Sequence, residues 1–278
     1  MLNEEGSQEF AQWLLDVGNG KDLPDTNEIS LLPMMQCGDT VEDLISAIYP
    51  DITLLGRTNN YFLERSILCC KNDDVDDLNY ELFKRFPGEE RVYLSADSVP
   101  AEEGAGDGTL QPYPMEFLNS LKASGLPLSR LILKVGCPLM LLHNLDPGRG
   151  LCNGTRLRLL EMTNYLLRCE ILGGAHRGEV VLIPRITLEP SAESLPIPLR
   201  RRQFPVRLAF CMTINKAQGQ SVAHVGLDLR SSVFSHGQLY VALSRCTSAS
   251  NIKVLFPEDE EGTKTTNIVY PEVLSGLI

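Results

Sequence analysis

Between Thr213 and Ser221 the chain reads TINKAQGQS, which places hydroxyls, amides, one ammonium and a glycine side by side. Such groups grip phosphate oxygens by neutral and charge-assisted hydrogen bonds, and none of them is suited to abstracting a proton. Arg245 ends the later run GQLYVALSR. Its guanidinium is a planar, permanently charged fork, the group that acts as an arginine finger on a transferring phosphoryl group. The plainer reading is that Lys216 and Arg245 are surface charges at helix ends, which are common.

The elements that must position these residues follow from the spacing of apolar side chains between Phe204 and Cys246. Val206, Leu208, Phe210 and Met212 alternate as on a half-buried strand, and Thr213 ends that run with a hydroxyl suited to a turn or helix cap. INKAQ makes barely more than one helical turn before Gly219. A second strand is expected over His224 to Leu229, and then a helix with Leu239, Ala242 and Leu243 on one face. This β-α-β-α order implies an α/β fold with a parallel sheet and right-handed crossovers. In such sheets ligands collect beyond the carboxyl ends of the strands, where TINKAQGQS falls.

TINKAQGQS followed by GQLYVALSR resembles the fifth and sixth motifs of superfamily-one DNA helicases of the Pif (petite integration frequency) type, a family that includes the Helitron transposon helicases. ERSILCCKNDDVDDLN (Glu64 to Asn79) and LKVGCPLMLLHNLDPGRGLCNGTRL (Leu133 to Leu157) are similar to further stretches of that family, in the same order. The resemblance extends from about Ile48 to Phe256.

The resemblance implies a second RecA-like helicase domain of the P-loop-NTPase type, with a small SH3-like β-barrel inserted into its sheet. The expected division is an N-terminal helical segment over 1–47, RecA-like parts over 48–134 and 201–278, and the barrel over 135–200. It further implies that Gly219, Gln220 and Arg245 face ATP, with Arg245 catalytic as the finger, and that Thr213, Asn215, Lys216 and Gln218 hold single-stranded DNA. Translocation would run five-prime to three-prime. The family clamps ATP and Mg2+ between two lobes, and the phosphate loop and magnesium carboxylates belong to the first. Neither is found in these 278 residues, so a separate N-terminal RecA-like lobe is the expected partner. GNGKD does not supply the loop, because Leu15 stands at its first glycine position and Asp22 at its hydroxyl position.

The rest of the chain is read from composition and period. Net charge is -11, but it is uneven: residues 1–110 hold 7 Lys/Arg against 23 Asp/Glu, whereas residues 111–278 hold 18 against 13. The second half is therefore the expected nucleic-acid side. Eight scattered cysteines and four histidines lack metal-site spacing, so reduced thiols and no metal site are expected. The acidic start is unlike a secretory signal and no apolar run is long enough to span a bilayer, which points to a nuclear or cytoplasmic protein that is not secreted.

Helices are expected over residues 7–18, 40–49 and 72–86, the second capped by Thr40, and strands at Arg65 to Cys70 and Val92 to Ser95. Asp73, Asp74, Asp76 and Asp77 read as a helix start favoured by the macrodipole, which leaves Asn72 as the polar residue of that turn placed near DNA. Short strands from Leu131 to Ile186 carry the barrel expectation. Pro138 and Gly154 are assigned to turns. Arg149 and Arg156 either touch a DNA strand or are solvated loop residues. Arg200, Arg201 and Arg202 form a positive patch in a linker. EEGAGDG at 102–108 reads as a loop, and the acidic run after Pro257 as another, with Asp259-Glu260 rejected as a magnesium-binding pair. Two functions remain open: part of an ATP-driven helicase, or a non-catalytic module that binds single-stranded DNA or a protein.

Overall fold

The computed structural model describes residues 4–54, 60–100, 113–123, 125–190, 194–195, 197–257 and 263–275. The runs expected as loops at 102–108 and 258–262 lie outside them. The chain divides into two compact units, one formed by Met1–Arg85 with Phe210–Ile278, the other by Phe86–Ala209.

The first unit is built on a four-stranded parallel sheet in the order Cys211–Thr213, Arg65–Cys69, His224–Asp228, Ile252–Leu255. Its central strands read RSILC and HVGLD, and every residue after the first in each is buried. Runs of this kind, without alternation, belong to sheets covered on both faces. Thr40 caps the helix Val41–Ile48 in a capping box with Asp43, and Leu44, Ile45 and Ile48 are buried. Gly226 lets this helix approach, since a Cβ there would lie 2.9 Å from Cγ1 of both Ile48 and Ile67. The helix Asn72–Arg85 buries Val75, Leu78 and Leu82. From it Asn79 donates to the Cys211 carbonyl at 3.1 Å and accepts from the Cys211 amide at 3.0 Å, satisfying backbone groups of an edge strand. The first helix, Glu4–Asn19, runs through Gly18 rather than stopping there. A Cβ on Gly18 would come within 2.8 Å of the Tyr240 ring, so this glycine serves close packing on the helix Gln238–Leu243.

The second unit is antiparallel. Five strands pair in the order Val206–Leu208, Pro138–Leu141, Arg156–Met162, Leu166–Ile171, Val180–Pro184; Arg200–Gln203 lies between Ile186–Leu188 and Ala96–Ser98; and Glu90–Leu94 pairs with Arg130–Lys134. Pro138 begins a strand instead of making a turn, a position where its missing N–H is tolerated. Gly154 does occupy a turn, at φ 92.

Three expectations change. The single strand expected from Val206 to Met212 is two: Val206–Leu208 pairs antiparallel with Pro138–Leu141, and Cys211–Thr213 pairs parallel with Arg65–Cys69. The second unit extends from Phe86 to Ala209, wider than the expected 135–200. Strand period alone does not distinguish parallel from antiparallel pairing, so Glu90–Leu94 gave no sign of its sheet. Arg200–Gln203 is also a strand, not a linker, and its alternation separates the three arginines: Arg200 and Arg202 are exposed and Arg201 is buried. Arg201 is 1% exposed and bidentate to Asp97 at 2.7 and 3.0 Å, while Arg200 pairs with Glu189 at 2.6 Å.

Candidate phosphate-binding site

Because the four strands of the first unit are parallel, their carboxyl ends share one edge. Thr213 ends its strand there and opens a short 3-10 turn, Ile214–Ala217, without a side-chain cap bond. Ile214 and Ala217 are buried, which turns Asn215 outward and leaves Lys216 half-buried. Gln218 and Gly219 are exposed, and Gln220 donates to the Lys216 carbonyl at 3.2 Å. Gly219 has φ 79 with nothing within 4 Å of a Cβ position, so the left-handed backbone, not crowding, requires glycine here. Asn72 is exposed at the first position of its helix, two residues after Cys70.

Arg245 follows the helix Gln238–Leu243 and is half-buried. Its Nε donates to the Val241 carbonyl at 2.8 Å, its Nη1 to the Gln220 carbonyl at 3.1 Å and the Ala217 carbonyl at 3.5 Å, and its Nη2 to Ser244 Oγ at 2.8 Å. The Arg245 carbonyl accepts from Val222 N–H at 3.0 Å. The two motifs singled out from the sequence are thus joined by the side chain of one and the backbone of the other. All these acceptors are neutral. Among the described residues no carboxylate pairs with Arg245, and its charge remains available to an anion.

Arg156 corrects the sequence reading. It is 6% exposed at the start of Arg156–Met162, so its guanidinium is not presented to a strand of DNA. Arg149 is exposed in the turn Pro147–Arg149. The basic excess of the second half also lies elsewhere than expected: residues 210–278, which carry both motifs, hold 5 Lys/Arg against 6 Asp/Glu, while residues 111–209 hold 13 against 7.

Two of the thiols are held neutral. Burial, with the nearby Asp228 and Asp74 carboxylates, pushes Cys70 up to about 12, and burial pushes Cys37 up to about 11. Among the described residues no three His, Cys, Asp or Glu side chains converge as a metal site, and no helix is long and apolar enough to cross a membrane.

A family model described as DNA helicase Pif1, 2B domain, matches residues 116–162. The chain is 32% identical over 240 residues to the ATP-dependent DNA helicase PIF1 of Danio rerio, and 30% identical over 235 residues to that of Homo sapiens. Each match covers 83% of this chain and 33% of the relative. The chain belongs to the Pif1 helicase family. It spans about a third of the length of these curated Pif1 relatives. Among solved structures, Pif1 helicase from Candida albicans superposes with a TM-score of 0.61 at 24% identity, over 97% of this chain and 57% of that one. Bacteroides Pif1 bound to single-stranded DNA gives 0.59 at 21%, over 97% and 53%. These likenesses establish a Pif1-type α/β fold.

The 2B match falls wholly within the second unit and contains the stretch Leu133 to Leu157 noticed in the sequence. Two cations at the parallel sheet's carboxyl edge were not noticed. Lys71 follows the strand Arg65–Cys69 and Arg230 follows His224–Asp228, and both are exposed. Their signal was present: a basic residue two positions past the end of a strand that belongs to a parallel sheet.

Proposed function

We propose that this chain is the C-terminal motor lobe of an ATP-dependent DNA helicase, with Phe86–Ala209 inserted into it and carrying the SH3-like fold. The reading rests on the carboxyl edge, where Thr213, Asn215, Lys216, Gln218 and Asn72 offer donors to the backbone of single-stranded DNA. Arg245 meets the γ-phosphate of ATP when an N-terminal RecA-like lobe closes on it. Gly219 and Gln220 line the nucleotide, and the nuclear or cytoplasmic setting follows from DNA as substrate.

The residues present fit a nucleotide phosphate at Arg245. Its guanidinium is held by neutral carbonyls, and a phosphate oxygen is a stronger acceptor for the same N–H groups. Replacing the Gln220 and Ala217 carbonyls with phosphate would release the end of the Thr213–Gln220 loop, so closure on ATP and the grip on DNA become linked through one side chain. Bound ATP supplies the phosphoanhydride whose hydrolysis drives translocation. No site for Mg2+ is derived from the described residues, and its carboxylates are assigned to the partner lobe.

The second reading, a non-catalytic module for single-stranded DNA or a protein, is favoured by the engagement of Nε, Nη1 and Nη2 of Arg245 within the chain. The two are separated by measuring ATP turnover of the chain with single-stranded DNA, alone and with a Pif1-type N-terminal lobe added. The motor reading expects no turnover alone and turnover on addition that Arg245→Ala removes. Turnover by the chain alone would overturn the need for a partner lobe. An active mixture indifferent to Arg245→Ala would overturn the finger.

A further inference from the structure

The parallel register aligns three residues that neither motif contains as a group. Asp228 pairs with Cys69, and Cys69 pairs with Thr213. Two positions beyond these aligned residues stand Arg230, Lys71 and Asn215, all exposed, at the carboxyl ends of three adjacent strands. Adjacent strands are about 4.8 Å apart, so the row spans roughly 10 Å.

Arg230 is not an ordinary surface arginine. Its Nε donates to Asp228 Oδ1 at 2.9 Å, its Nη2 to Asp228 Oδ2 at 2.7 Å, and its backbone N–H to Oδ1 at 3.2 Å. The Asp228 side chain is 1% exposed and that of Arg230 is 40% exposed. A buried carboxylate at the end of a core strand therefore fixes one side of the fork and turns the other to solvent, with Nη1 unpartnered among the described residues. A guanidinium clamped this way keeps donors for a second anion and has already lost the rotamer freedom that binding would otherwise cost.

We propose that Arg230, oriented by Asp228, together with Lys71 binds backbone phosphates of a single nucleic-acid strand crossing the carboxyl edge from Asn215. The inference rests on the single-strand reading of that edge and adds contacts to it. Asp73 and Asp74 start the neighbouring helix, and Asp74 lies close enough to favour the charged form of Arg230. Their charge opposes a strand and makes the fixed cations more necessary on this path. Asp228 is a positioning residue: it holds the fork and does not touch the strand.

The test is binding of this chain to a fluorescent oligothymidylate between 50 and 200 mM salt, with thermal melting of each variant as the control for folding. For single strands each phosphate contact contributes about 0.7 to the slope of log affinity against log salt. Arg230→Gln and Lys71→Gln are each expected to lower the slope by about that amount, and Arg230→Lys to keep the slope while weakening binding. Asp228→Asn is expected to weaken binding without changing the slope, because the charge stays and only its orientation is lost. Unchanged slopes in Arg230→Gln and Lys71→Gln, beside a lowered slope in Lys216→Ala, would overturn this row and leave the single-strand reading intact. An unmodified chain that does not bind the oligonucleotide would overturn both.

Discussion

Arg245 Nη1 donates to the Gln220 carbonyl at 3.1 Å across 25 residues of sequence, so the end of one motif's loop hangs on the side chain of the next. Arg245→Ala removes this donor together with those to Val241 and Ser244. In the chain alone, the lost bonds are expected to cost about 1–3 kcal/mol, read as a lower urea midpoint with an unchanged m value. Combined with a partner lobe, the same substitution is expected to lower ATP turnover by about 10³ to 10⁵. Arg245→Lys should recover part of the stability and little of the turnover, since one ammonium cannot reproduce a fork that reaches both carbonyl and phosphate.

What could be read from the sequence was what depends on neighbours along the chain. The Thr40 cap, the helix faces and the strand, turn, strand order of the TINKAQGQS region are local, and the structure contains each of them. What could not be read depended on distant partners. The alternation through Phe204 to Met212 continues without a break, yet its two halves pair with different sheets. Arg201 looked like one of three equivalent charges because its carboxylate, Asp97, lies 104 residues away. Arg156 sat among turn residues and is nonetheless buried as the first residue of a strand. Charge runs and loop composition give side-chain type, and burial decides whether that side chain meets solvent.

Lys216 tests the phosphate assignment in the loop. Its position one residue after the exposed Asn215, at the carboxyl edge, predicts about one phosphate contact. Lys216→Ala is expected to reduce the salt slope of single-strand binding by about 0.7 and to weaken binding equally across base sequences, because a phosphate contact reads no base. Titrations against oligothymidylate and a mixed-sequence strand check both parts. A slope equal to that of the unmodified chain would remove Lys216 from the site.

Cys37 separates accessibility from reactivity. It is half-exposed, but desolvation and the nearby Asp43 push its thiol up to about 11, so about one molecule in a thousand carries a thiolate at pH 8. Alkylation of the native chain at pH 8 is expected to modify Cys37 some hundreds of times more slowly than in urea, where it returns to the ordinary value of about 8.5. Raising the pH to 10 should speed the native reaction by nearly a hundredfold, since the thiolate fraction grows tenfold per unit below the pKa. Mass spectrometry of tryptic peptides over a time course reads both rates, and a native rate equal to that in urea would contradict the raised value.

The pairs at Arg201 and Arg200 form an internal comparison within one strand. Arg201 is bidentate to Asp97 and also donates to the carbonyls of Leu118, Leu121 and Pro127, with both side chains essentially removed from solvent. Arg201→Ala removes the bidentate partner of a buried carboxylate and one donor from each of three carbonyls, and breaking a buried pair in this way costs about 3–5 kcal/mol. Arg200, one position away, faces solvent with Glu189, both about half exposed, and Arg200→Ala is expected to cost less than about 1 kcal/mol. Replacing Arg201 and Asp97 together by Met and Leu should recover most of the loss, because an apolar pair removes the buried carboxylate along with its guanidinium. Urea unfolding of the three variants decides the matter. Equal costs at positions 200 and 201 would mean that Asp97 gains water when its partner is removed, and the burial assigned to this pair would be wrong.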